Sequence, residues 1–192
     1  MRLLHACIVC LLLAASFAAG AEGYRIGERL APGTEPARPA YREIQWDNLV
    51  PEDWDPMAEF KGLDLGSLRD GDPRAQAALE KMRAAWDAAP VETALDGKAI
   101  RLAGFVIPLE RKGKLVSELL LVPYFGACIH TPPPPANQTI HVVLNKPTGD
   151  VRMMDAFWVT GVLKVARGDS GMGVFGYRLR ADGLERYRPK GQ

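Results

Sequence analysis

From about residue 94 onward, apolar and polar positions alternate in short runs bounded by turn residues. This is the period-two pattern of half-buried strands. "KAIRLAGFVIPLE" (98–110), "SELLLVPYF" (117–125), "TIHVVLN" (139–145) and "DAFWVTGVLKVA" (155–166) each predict one strand. "GVFGYRLRADGLERY" (173–187) holds Asp182-Gly183, a two-residue signal that predicts a hairpin. Gly104, Gly161 and Gly176 fall inside these runs, where the corners of a closed barrel place glycine. Five or six short strands without βαβ alternation predict a mainly β domain, a small OB-like barrel or a compact sandwich, with the barrel preferred.

One segment follows a helical period instead. Asp72 suits a helix cap, Pro73 the first helical position, and Ala75, Leu79, Met82 and Trp86 recur on one face before Pro90 stops the run. That stripe is expected to pack on the core. Upstream, "YREIQWDNLVPEDW" (41–54) sets Trp46 and Trp54 in a polar stretch. It reads as an extended aromatic arm docking its rings on the domain, with a partner-binding patch as the alternative. Residues 22–40 are rich in Gly, Pro, Ala and charge without an apolar period, and read as a flexible leader. The expected organisation is therefore signal peptide 1–21, leader 22–40 and a single domain 41–192.

The signal peptide rests on Arg2, the mainly apolar residues 3–17, and the small residues Ala19, Gly20 and Ala21 before a cleavage point near Glu22. The apolar run is shorter than the ~20 residues of a membrane-spanning helix. A secreted, periplasmic protein is expected, without a transmembrane span in the mature chain. Cleavage changes the chemistry that remains. Of three cysteines, Cys7 and Cys10 leave with the signal, so Cys128 has no intramolecular disulfide partner. Of three histidines, His130 and His141 remain. Removing Arg2 balances 23 basic against 23 acidic residues, which lends no support to nucleic-acid binding.

A lone thiol in an oxidising compartment calls for a reason: burial, metal, chemistry or a partner. Cys128 and His130 are two residues apart, so an extended backbone presents both to one side. Behind them Pro132 to Pro135 form a stiff polyproline II rod. Asn137 and Gln138 follow, with amides able to pin the loop or orient His130. Three readings compete. Thiolate plus imidazole suits zinc and, with thioether help from Met153, Met154 or Met172, copper. Glu118, His141 and Asp155 are the candidate further ligands. The second reading is a cysteine nucleophile with a histidine base. It stands below the first, because no oxyanion-hole signature accompanies it. The third is structural: a buried cysteine, with His130 bonded to backbone, His141 a satisfied strand residue, Glu118 a solvated strand start and Asp155 a turn residue.

The stretch "LLLVPYFGACIHTPPPPANQ" resembles the hallmark of a bacterial family of uncharacterised exported proteins, known as a domain of unknown function. The likeness extends to "IQWDNLVPEDW", "LDGKAIRLAGFVIPLE", "DAFWVTGVLKV" and "MGVFGYRLRADGLERY". The matching positions are Glu118, Pro123, Cys128, His130, the prolines from Pro132, Asn137 and Gln138; His141 stands outside the shared pattern. The resemblance implies an exported accessory protein, some of whose relatives accompany ABC-type export components under zinc-responsive control. It tilts the choice toward a metal-linked, non-catalytic role with zinc favoured. The alternative is an interaction module that uses the proline loop and the tryptophan arm.

Overall fold

The strand pattern is realised as a closed barrel in the computed structural model, which describes residues 40–58, 61, 72–128 and 133–188. All of these fall in one compact unit, Pro39–Gln192. The signal peptide, nearly all of the leader, and His130 lie outside the described residues.

Five strands form the wall: β2 (Ala99–Lys112), β3 (Leu115–Val122), β4 (Ile140–Thr148), β5 (Ala156–Asp169) and β6 (Val174–Arg186). Their order is β2-β3-β4-β6-β5, and β5 pairs back onto β2 to close the ring. All wall pairings are antiparallel except β4 with β6, which run parallel. A two-residue strand, β1 (Arg42–Glu43), adds in parallel beside Ile100 and Arg101.

Alternation sends one set of side chains inward. Ile100, Leu102 and Val106 meet Leu119, Leu121, Ile140, Val142, Val159, Leu163, Tyr177 and Leu179 in a single core, and all are fully or almost fully buried. Removing each such aliphatic side chain from water contributes about 1.5–3 kcal/mol. The wall leaves no room for a side chain at Gly161, where a Cβ would collide with the Arg180 carbonyl. At Gly104 it would stand 2.8 Å from the Val122 carbonyl oxygen and 2.9 Å from the Trp46 ring. The missing Cβ is what lets Trp46 lie against the wall and donate its indole N–H to the Ala103 carbonyl at 2.7 Å.

A second apolar cluster is separate from this core. It contains Ile107, Leu120, Val122, Ala127, Met154 and Phe175, with Phe105, Leu109 and Cys128 packed against it. Residues 119–122 of β3 are therefore buried throughout, which explains why that strand reads as an apolar run rather than an alternation.

Two expectations are corrected. Asp182-Gly183 makes no turn. Both residues lie inside β6, where Gly183 opposes Thr160 and Ala181 opposes Gly161, so Asp182 is the extra residue of a bulge. Its carboxylate accepts from the Tyr41 hydroxyl at 2.8 Å and the Asn145 amide at 2.7 Å, holding it out of the ladder. The helix forms as expected: α1 (Pro73–Asp87) is capped by Asp72, whose side chain accepts from the Arg74 N–H. None of its residues is buried, however, and Leu79 is exposed. The barrel fills its own interior, so α1 is tied on by polar contacts. Arg167 donates to the Asp87 and Ala89 carbonyls, and Trp86 donates to the Pro56 carbonyl.

Candidate functional site

β3 ends at Val122, and the chain enters the connection that carries the cysteine. The outer cluster shapes its first turn. Gly126 takes a left-handed φ of 87° and its N–H donates to the Met154 sulfur at 3.3 Å. Ala127 is buried, while Phe125 stands 69% exposed, edge-on to Phe105 at 5.8 Å. Cys128 then adopts φ 63° and Met154 φ 64°, a left-handed backbone uncommon for residues with a Cβ, so the extended backbone expected at Cys128 is not what the packed loop adopts. Both sulfur-bearing residues belong to the same cluster. Such strain persists only where surrounding packing enforces it, and it concentrates at functional positions.

The Cys128 thiol is half-buried. Gly173, in the turn between β5 and β6, faces it across a gap only a glycine leaves open. A Cβ there would be 3.1 Å from the Pro133 ring and 3.9 Å from the Cys128 sulfur. Burial pushes the Cys128 pKa up to about 11. The thiol is therefore protonated at neutral pH, the opposite of an activated nucleophile. Tyr124 is raised too, by burial and then by the nearby Cys128.

The proline segment is anchored at its far end. Pro135 has φ −53° and ψ 151°, close to polyproline II. The Thr139 hydroxyl donates toward the Pro134 and Pro135 carbonyls. The Asn137 amide donates to the Pro90 carbonyl at 2.9 Å and so pins the loop to the exit of α1.

The remaining candidate ligands divide. Glu118 and His141 come together: the carboxylate lies 2.6 Å from Nε2, although neither residue opposes the other in the β3–β4 register. On the other side Arg178, directly opposite His141 on β6, donates Nε–H to His141 Nδ1 at 3.2 Å. A guanidinium only donates, so Nδ1 is the acceptor and the ring proton sits on Nε2, given to Glu118. Both nitrogens of His141 are thus engaged by protein groups. Phe175 stacks on the ring at 4.9 Å and is also part of the cluster on which Cys128 packs. Asp155 is elsewhere, accepting from the Arg152 N–H and from Arg186 in the turn before β5. Met153 and Met172 are exposed. Among the described residues no three His, Cys, Asp or Glu side chains come together as a metal group. Sequence reasoning missed the role of Arg178, and a period-two pattern does not reveal which strand lies beside β4.

The molecule is thus a mainly β protein with a closed five-stranded barrel and a strained cysteine loop on its outer face. The chain belongs to the family described as protein of unknown function DUF3299, whose profile spans residues 46–186. It is similar to the crystal structure of a DUF3299 family protein from Pseudomonas aeruginosa PAO1, at 37% identity with a TM-score of 0.61. That match covers 79% of this chain and 99% of the other. The comparison with curated proteins finds no match. No helix among the described residues is long and apolar enough to cross a membrane.

Proposed function

We propose that the chain is an exported, non-enzymatic accessory protein of the cell envelope that takes up a transition metal, zinc above copper, through Cys128 and His130. It acts with an ABC-type export system. The observation that carries this reading is the left-handed backbone at Cys128, which holds a half-exposed sulfur at the edge of the Pro133 and Gly173 contact. A raised thiol pKa argues against a nucleophile but is compatible with a ligand, since a metal replaces the proton it displaces. On this reading Cys128 and His130 are the two ligands from this chain, and solvent or a second molecule supplies the others. The barrel is read as OB-like on its strand order and its one parallel pairing. Elemental analysis of untagged protein, compared with Cys128→Ser and His130→Ala, tests the site. Metal that follows the wild type and drops in both variants supports it; equal and negligible metal in all three ends it.

A second reading is favoured by a different observation: Phe125 and Tyr124 present exposed rings beside the cysteine. On this reading the chain is an interaction module for other envelope polypeptides, and its partner survives Cys128→Ser on co-purification but is lost with Phe125→Ala.

A further inference from the structure

Two stretches that stand out in the sequence, the tryptophan segment and the proline run, line one groove. It is open, with a volume of about 380 Å³. Pro51, Trp54 and Pro56 line it with Asp47, Glu52 and Gln138, and the buried Pro135 reaches it from the proline run. We propose that this groove binds a proline-rich, arginine- or lysine-bearing extended segment of a partner protein. This rests on the interaction reading above and names the chemistry that one surface of the module accepts.

Three observations carry it. The first is the surface itself, the half-buried Trp54 indole lining one groove with the half-buried Pro51 and the exposed Pro56. Flat hydrocarbon of this kind suits a polyproline II ligand, whose rings stack on it and which loses little entropy on binding. The second is a donor with no partner among the described residues. The indole N–H groups of Trp46 and Trp86 donate to backbone carbonyls, whereas those of half-buried Trp54 and Trp158 donate to nothing among the described residues, and of these two only Trp54 lines the groove. Polyproline II has no internal hydrogen bonds, so its carbonyls are free to accept from Trp54 Nε1 and from the Gln138 amide. The third is charge. Every charged side chain lining the groove is acidic, and neither Asp47 nor Glu52 has an ion pair among the described residues. Two carboxylates without an ion pair among the described residues, lining the same groove as an indole, favour a guanidinium or ammonium through ion pairing and cation–π attraction.

The test uses the mature full-length protein and a synthetic peptide, Ac-PPRPPRPP-NH2, against two controls, Ac-PPEPPEPP-NH2 and Ac-AARAARAA-NH2. In ¹H–¹⁵N spectra the Trp54 indole signal, assigned by its loss in Trp54→Phe, shifts saturably with the arginine-proline peptide. The Trp46 signal stays in place. The glutamate peptide and the alanine peptide leave Trp54 unmoved. By fluorescence anisotropy of the labelled peptide, Trp54→Phe binds about fivefold more weakly, as expected for one lost hydrogen bond. The Asp47→Asn/Glu52→Gln double variant, which leaves the indole in place, weakens binding by a similar factor. A stationary Trp54 signal, equal shifts with the glutamate peptide, or unchanged binding by both variants would overturn the proposal. An envelope partner held equally by wild type and Trp54→Phe would also overturn the groove, while leaving the interaction reading intact.

Discussion

Arg178 donates to His141 Nδ1 at 3.2 Å, and Glu118 accepts from Nε2 on the other side of the same ring. Three neighbouring strands, β3, β4 and β6, contribute one group each to this chain of hydrogen bonds. The Arg178 guanidinium engages the ring nitrogen that Glu118 leaves. The pair that a sequence reader sets aside as metal ligands thus serves as a polar clasp on the outer face, with Phe175 stacked against it.

The clasp predicts a tautomer. Nitrogen-15 spectra of histidine-labelled protein show the neutral ring of His141 with its proton on Nε2, and Arg178→Ala alters that signal. A double-mutant cycle of Glu118→Ala and Arg178→Ala gives a coupling energy on the order of 0.5–3 kcal/mol, because both act on one ring. Strict additivity would show that the ring does not link them.

Cys128 should resist alkylation. With its pKa at about 11 instead of 9.0, its thiolate fraction at pH 8 is about 100-fold below that of a free cysteine. Iodoacetamide rates measured against pH rise toward a midpoint near 11. A midpoint at or below the usual cysteine value would show that burial does not control the thiol, and would reopen the nucleophile reading.

Tyr177 joins three segments. Its buried hydroxyl donates to the Leu49 carbonyl and accepts from the Glu92 N–H, both at 2.6 Å. Tyr177→Phe leaves a buried donor and acceptor unpaired and costs about 1–3 kcal/mol in urea unfolding. Burial also pushes the Tyr177 pKa from 10.0 to about 12. An acid with a raised folded pKa stabilises the fold fully below its unfolded pKa and loses that contribution as pH climbs toward the folded value. Wild-type stability therefore falls from about pH 9 to 12, with Cys128 acting over 9 to 11 and Tyr177 over 10 to 12. Tyr177→Phe flattens the upper part of that decline.

Glycine positions separate by what surrounds them. Gly161→Ala drives a methyl group into the Arg180 carbonyl and costs about 3 kcal/mol or more, read as a lowered urea midpoint. Gly149→Ala meets only ordinary contacts at 3.9 Å and changes stability by about 0.5 kcal/mol or less. Equal effects at the two sites would contradict the close approach of β5 and β6.

Local chemistry explains what was legible in the chain. Asp72 and Pro73 start α1 where their capping and φ preferences predict, and Pro90 lies just beyond its end. The apolar runs became strands within a few residues of their expected limits. The Asp182-Gly183 signal failed for a non-local reason. Tyr41 and Asn145, distant in sequence, hold the aspartate in a bulge and so suppress the turn its dipeptide favours. The helix stripe failed similarly. Its spacing shows an apolar face but not whether the barrel has interior left to receive it.

By itself the sequence determined the strand and helix inventory and the helix cap, because each depends on neighbours a few positions apart; the left-handed backbone at Cys128 it did not reveal. The tertiary structure decided that β4 lies parallel to β6, that Arg178 caps His141, that Met154 shares a cluster with Cys128, and that Trp54 and Pro135 line one groove. Those outcomes depend on which surfaces meet when the barrel closes. Closure brings together residues whose separation along the chain carries no periodic trace.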